Sequence, residues 1–325
     1  MKYLLLLFYL PICAAFDIVG WWLGSPNSTT FPIEKLHWDH YTHIRFGGPL
    51  NNPDGTVSCN KTDYDLQKVL KIAHSHNVKV QWGCGIQNIH DVLWNSSAVH
   101  LRDNYINTIG KAVHECGVDG IELDYEFGDH MKLGIVTPEE STHYSQLLAD
   151  IKTAIGSNKL VSADVSIWGI APGNYLLGVL PWVNATMLNR GDFDFINTMS
   201  YHWNKDGNIW PWKKDAWFID KWGINRNRVN IGIPYYSMNR TKDLKVYNEP
   251  TWGGLSPLCQ NIDSNQNVCD DVVFVGKAMN YRLGKWVRNM GFRGVFPSAG
   301  NYDSIQYNNS LVDWVARGLY KIEIK

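Results

Sequence analysis

Hydrophobic and polar positions along this chain alternate between short β-type runs and longer stretches of helical period. The β-type runs are DIVGWW (17–22), YTHIRF (41–46), VKVQW (78–82), VDGIELDYE (118–126), LVSADVS (160–166), FDFINTMSY (193–201), RVNIGIPYY (228–236) and FRGVFP (292–297). Each is rich in β-branched or aromatic residues, as half-buried or fully buried strands are. Between them the spacing predicts helices over 62–76, 97–116, 137–155, 276–290 and 305–317. The third of these opens well, with Thr137 as cap, Pro138 at the first helical position and Glu140 two residues on. Eight strands with helical crossovers predict an α/β fold, a single (β/α)8 barrel, the alternative being a doubly wound sheet. No internal repeat or linker divides the chain. One polar excursion, 237–275, interrupts the pattern after the seventh strand and is expected either to serve binding or to be a disulfide-clipped solvent loop.

The fourth run carries an unusual load of acid. Glu122, Asp124 and Glu126 are spaced by two, so on a strand they share one face, while Ile121, Leu123 and Tyr125 share the other. In a barrel the apolar face meets the helices and the acids point inward, climbing towards the C-terminal rim where barrel enzymes work. Stacked carboxylates repel, so at least one is expected to keep a proton near neutral pH. A protonated acid beside an ionised one suits cleavage of a glycosidic bond. A solvated acidic strand or an ion-paired structural cluster would show the same letters.

Composition narrows the choice. The chain has 325 residues, a formal net charge of −1 and no basic stripe, which argues against nucleic acid as a partner. It carries 15 Trp and 16 Tyr, an excess suited to stacking flat ligands with polar edges. Residues 1–15 read as a secretory signal, with Lys2, an apolar stretch and the small residues Cys13-Ala14-Ala15. Six Asn-x-Ser/Thr acceptors, at Asn27, Asn60, Asn95, Asn184, Asn239 and Asn308, fit passage through a glycosylating compartment. The expected mature protein, 16–325, is therefore secreted or lumenal, with the lysosome possible, and free of the membrane. Of the five cysteines after residue 15, Cys259 and Cys269 flank a polar loop and are the expected disulfide. Cys84 and Cys116 are expected to be buried and inert. No metal-ligand spacing is present, so no metal or cofactor is expected.

The segment from Asp119 to Glu126 resembles the DGxDxDxE signature of the family 18 glycoside hydrolases, which include chitinases and endo-β-N-acetylglucosaminidases. Glu122 stands where the signature has Asp. Further pieces fall in family order: Val19-Gly20-Trp21-Trp22, Trp82-Gly83-Cys84-Gly85, Met199-Ser200-Tyr201 and Gly232-Ile233-Pro234-Tyr235-Tyr236. The resemblance implies that Glu126 is the general acid and base. It implies that Asp124 orients the substrate's acetamido group, which itself attacks the anomeric carbon, and that Tyr201 holds that group from across the cleft. Glu122 is the fourth catalytic candidate. His202 replaces the Asp that ends the family's MxYD motif, and Phe296-Pro297 stands where a floor tryptophan is common.

Aromatic residues cluster at strand ends, and Trp22, Trp82, Trp203 and Tyr236, with His202 and Phe296, are the expected sugar-binding residues. Trp210, Trp212 and Trp252 are expected in rim loops. The leading expectation is a retaining hydrolase of β-1,4-linked N-acetylglucosamine in chitin or related oligosaccharides, acting as a monomer. The alternatives are cleavage of the chitobiose core of N-glycans and a carbohydrate-binding lectin on the same barrel.

Overall fold

In a computed structural model of the chain, the described residues are 16–85, 99–124, 138–167, 182–201, 210–236, 238–239, 252–255, 257–260, 268–269 and 272–322. Eight parallel strands close into a barrel. In chain order they are β1 (Asp17–Trp21), β2 (His43–Arg45), β3 (Lys79–Gly85), β4 (Gly120–Asp124), β5 (Leu160–Val165), β6 (Phe195–Thr198), β7 (Val229–Pro234) and β8 (Gly294–Ser298). Each pairs with its sequence neighbours, and β8 returns to β1 with Asp17 opposite Gly294 and Trp21 opposite Ser298. The barrel is the one that the eight β-type runs predict. Seven of the helices that surround it are α1 (Tyr64–Ser75), α2 (Val99–Cys116), α3 (Pro138–Ile155), α4 (Ala185–Arg190), α5 (Trp210–Lys221), α6 (Lys277–Met290) and α7 (Leu311–Tyr320).

Strand alternation sorts the side chains. Ile18, Ile44, Val80, Ile121, Leu123, Val161, Ala163, Ile196 and Ile231 point outwards into one continuous core shared with the helices. The opposite parity fills the barrel. Val19, Phe195 and Phe296 form a small apolar cluster of their own, with Trp21, Leu160 and Tyr201 packed against it. Beside this plug the interior is polar, lined by Arg45, Gln81, Glu122, Ser162, Asp164, Asn197 and Asn230, all buried. Buried polar groups persist only where they find partners.

The helical segments differ from expectation in three places. The last helix begins at Leu311 rather than near 305, because Ser310 caps it and the buried Asp303 carboxylate accepts the amide hydrogens of Leu311 and Val312. Trp210 and Trp212 belong to α5, not to a loop. Pro211 is tolerated in the first turn of that helix, where its missing N–H has no intrahelical partner to lose. Trp212 is buried, its indole N–H donating to the Gly232 carbonyl. Trp252, also expected on the rim, is buried and donates to the Asn309 carbonyl. The helices α6 and α7 cross closely at Gly284 and Gly318. A Cβ on Gly284 would sit 2.3 Å from the Val315 carbonyl oxygen, and one on Gly318 would sit 2.2 Å from that of Tyr281.

The excursion after β7 carries a three-stranded antiparallel sheet, Met238–Asn239 against Val272–Val273 against Val268–Cys269. The disulfides correct one expectation. Cys116, expected as an inert thiol, is bonded to Cys59, 57 residues away in sequence, which ties the segment before α1 to the end of α2. Cys259 is disulfide-bonded too, whereas the Cys269 side chain lies outside the described residues. Cys84 is a free, buried thiol as expected, and burial pushes it up to about 12. The expected signal segment, 1–15, lies outside the described residues.

Candidate active site

The alternation of β4 places the acids as the sequence suggests, as far as Asp124. Ile121 and Leu123 are sealed against the helices while Glu122 and Asp124 turn into the barrel. Glu122 is wholly buried, and Asp124, one step nearer the C-terminal mouth, keeps 17% of its side chain exposed. Asp119, the first acid of the motif, is at the other end of the strand. It accepts the Val80 amide hydrogen at 2.9 Å and lies 2.8 Å from His74 Nε2, so its role is to pin β3 to β4. Glu126, His202 and Trp203 lie outside the described residues.

A guanidinium on β2 organises these acids. Arg45 Nε lies 3.3 Å from Glu122 Oε1, its Nη1 and Nη2 each lie 3.4 Å from Asp124 Oδ2, and Nη1 donates to Asp164 Oδ2 at 2.9 Å. Trp21 covers the cation, with the guanidinium carbon 4.5 Å from its ring centroid. Amide and hydroxyl donors complete the set. Asn197 Nδ2 donates to Glu122 Oε2 at 2.5 Å and to Asp164 Oδ1 at 3.2 Å, and its own oxygen accepts from Asn230 at 3.0 Å. Ser162 donates to Glu122 Oε2 at 3.3 Å while accepting from Gln81 at 3.0 Å.

Burial raises the carboxyls against this support. Glu122 is pushed up to about 7, first by desolvation and then by Asp124, with Arg45, Ser162 and Asn197 pulling the other way. Asp164 is raised well above the usual carboxylate range by desolvation and by the charge of Glu122. For Arg45 desolvation favours the neutral form, but Asp164, Glu122 and Asp124 outweigh it and hold the guanidinium charged. Across the mouth, Tyr201 pairs edge-on with Tyr236, ring centroids 6.1 Å apart. Its phenol is raised by burial first and then by the charge of Asp164, with Tyr236 and Asp124 adding smaller pushes.

Of the residues expected from sequence, the structure therefore brings together Glu122, Asp124, Tyr201 and Tyr236. Three others are corrected. Trp22 is 3% exposed and packs edge-on against Phe31 outside the barrel, so the inward aromatic of that strand is its neighbour Trp21. Trp82 shares the parity of Val80 and Cys84 and is 1% exposed in the core beneath the helices. Phe296 is fully buried in the apolar plug of the barrel, and Ser298, two residues on, occupies the inward position at the rim. The residues missed were Arg45, Asp164 and Asn197, and of the strand-end pair Trp21 and Trp22 the wrong member was preferred. The one signal available for them is a polar or aromatic residue at inward parity in an otherwise apolar strand. Among the described residues, no group of three or more His, Cys, Asp or Glu is arranged to hold a metal ion.

Comparison with known proteins points the same way. The family model described as "Glycosyl hydrolases family 18" matches residues 17–309. A curated "chitinase-like effector" of Moniliophthora roreri is 24% identical over 163 residues, covering 49% of this chain and 38% of its own length. The chain thus spans well under half of that relative. Among solved structures, a chitinase from Bacteroides thetaiotaomicron superposes with a TM-score of 0.73 at 18% identity, covering 94% of this chain and 97% of its own. A chitinase from Rhizomucor miehei gives 0.67 at 19% identity, covering 93% and 99%. A plant class V chitinase mutant from Cycas revoluta, in complex with (GlcNAc)3, gives 0.69 at 16% identity, covering 94% and 99%. At these identities the superpositions establish a shared fold.

Proposed function

The chain belongs to family 18 of the glycosyl hydrolases, and from that premise we propose that it hydrolyses β-1,4-linked N-acetylglucosamine oligosaccharides by a retaining, substrate-assisted route. The observation that carries this reading is the placement of Asp124 and Tyr201 at the same, C-terminal end of the barrel, the first held by Arg45 and the second just beyond the end of β6. These are the two groups needed to grip an acetamido group from opposite sides.

In this reading the acetamido carbonyl oxygen attacks the anomeric carbon as the glycosidic C–O bond breaks, and Glu126 gives its proton to the departing oxygen. The acetamido group becomes an oxazolinium ion. Asp124 balances its positive charge and Tyr201 hydrogen-bonds it, an electrostatic contribution that is large because the site is partly dry. Glu126 then takes a proton from water, which attacks the same carbon from the opposite face, so configuration is retained overall. No metal or cofactor enters the scheme.

The protein is proposed to act outside the cytosol. Supporting this are the signal-like residues 1–15 and the Cys59–Cys116 bond, which persists in an oxidising compartment. The test is release of a fluorophore from chitobioside and chitotrioside conjugates between pH 4 and 8, with Glu126→Gln beside the wild type. The reading expects turnover that disappears in the variant while sugar binding stays. Binding without turnover in either protein would make this barrel a lectin.

A further inference from the structure

Arg45 is a buried interior cation that the chemistry assigned to Glu126, Asp124 and Tyr201 does not use. A buried guanidinium is costly unless its donors are matched, so its presence calls for a role. The surrounding fold makes room for it. Gly83 faces it from β3, where any Cβ would fall 2.0 Å from Nε, and Trp21 of β1 lies over its face at 4.5 Å. Around it stand Glu122 and Asp124 of β4 and Asp164 of β5, with the Cys84 thiol of β3 nearby. On its own strand His43 lies one inward step below, towards the closed end.

The grip is unequal. Asp124 Oδ2 faces both terminal nitrogens and Asp164 Oδ2 takes a 2.9 Å hydrogen bond, whereas Glu122 sees only Nε, at 3.3 Å. Asn197 ties Glu122 and Asp164 into one pair by donating to both. One positive charge faces three carboxyl groups in a dry space, so the set keeps a proton.

We propose that Arg45 is a positioning residue of this cluster: it holds Asp124 as a carboxylate aimed at the mouth and confines the cluster's proton to the buried Glu122–Asp164 pair. The raised positions of both members of that pair agree with this division. Its consequence for turnover rests on the hydrolase reading above; its electrostatic part does not.

Two readouts separate these on the intact protein carrying Arg45→Lys or Arg45→Met. The first is kcat and KM on the chitotrioside conjugate from pH 4 to 9. Weakening the positive field raises the cluster's carboxyls, so the acid limb of kcat should move up by about one pH unit in the Lys variant and further in the Met variant. At the optimum, kcat should fall about tenfold or more with KM within about threefold. An unmoved acid limb with merely lowered stability would overturn the proposal. The second readout is unfolding stability against pH between 5 and 9, whose slope counts protons. The Met variant should bind about one more proton in the folded state near pH 7, steepening the loss of stability with rising pH; an unchanged slope overturns the proposal. If Arg45→Met does not fold, Arg45→Met with Glu122→Gln should fold and restore the slope, and failure of that rescue counts against the proposal. A wild type without turnover would sink the hydrolase reading and leave the stability slopes to decide the role of Arg45.

Discussion

Gly83 and Arg45 are complementary: the side chain absent at 83 is the space that the guanidinium of 45 occupies, Nε lying 2.0 Å from where a Cβ would project. The contact is with the inner part of the Arg side chain and not its free end, and the whole is buried. Gly83→Ala should therefore displace Arg45 and cost about 1–3 kcal/mol, the range for overpacking a filled interior. Urea unfolding measures the loss. The pH profile of turnover should shift in the same direction as in the Arg45 variants, which an overpacking defect elsewhere in the barrel would not cause.

Glu122 and His43 give the fold opposed responses to pH. Glu122, raised from 4.5 to about 7, keeps its proton in the folded state while the unfolded chain releases it, so stability falls as pH rises across that window. His43 is lowered from 6.5 to about 4, mainly by burial, with Lys79 and Arg293 assisting and Asp17 opposing. The unfolded chain takes up that proton first on acidification, so stability falls as pH drops from 6.5 towards 4. Relative to wild type, Glu122→Gln should gain stability progressively as pH rises from about 4.5 to 7, and His43→Gln should gain it as pH falls. Each gain should reach about 3 kcal/mol at most. Thermal melts at half-unit pH intervals give both differences, and differences flat with pH would contradict the assignment.

The bond between Cys59 and Cys116 closes a loop of 57 residues that includes β3 and α1. Loop-closure entropy alone makes such a link worth about 4 kcal/mol. The double substitution Cys59→Ser, Cys116→Ser should lose about 2–4 kcal/mol, and the wild type under reducing conditions should lose a similar amount. Cys84, buried in the core, should stay unlabelled by thiol reagents until the protein unfolds.

Much of the fold was legible because both faces of each strand are constrained. The outward parity had to be apolar to meet the helices, so all eight strands surfaced as runs, and the two-residue spacing of Glu122 and Asp124 gave their direction. What alternation could not give was absolute parity at a doublet. Trp21 and Trp22 are equivalent letters until the pairing with β8 shows Trp21 opposite Ser298. Arg45 was hidden for a related reason, since a lone Arg in a short apolar run is usually solvent-facing, and its three partners come from β4 and β5, far along the chain. Trp82 and Trp212 were read as ligand platforms or rim residues because they are large and aromatic; the packing of helices on the barrel claimed both. Cys116 was misjudged as an inert thiol because its partner is 57 residues away in sequence, and only the packing of Cys59 beside the end of α2 brings the two within bonding reach.

Trp21 is a partly exposed aromatic at the barrel mouth, one ring face given to Arg45. With Ser298 at the inward rim position of β8, the proposed function assigns Trp21 as the surface for the apolar face of a sugar. Trp21→Ala should weaken binding of chitotriose about tenfold, the loss expected for one aromatic stacking contact. Trp22→Phe, outside the barrel, should leave binding unchanged. Isothermal titration with both variants decides between the two tryptophans.

In the proposed function, this barrel breaks its substrate by way of the substrate's own acetamido group. Proton NMR of chitopentaose, recorded within the first minutes of incubation and before mutarotation, tests it most directly. Reducing ends should be released as the β-anomer, and no product should form from an analogue whose acetamido group is replaced by a free amine at the cleaved residue. Release of the α-anomer first, or equal cleavage of the deacetylated analogue, would contradict it.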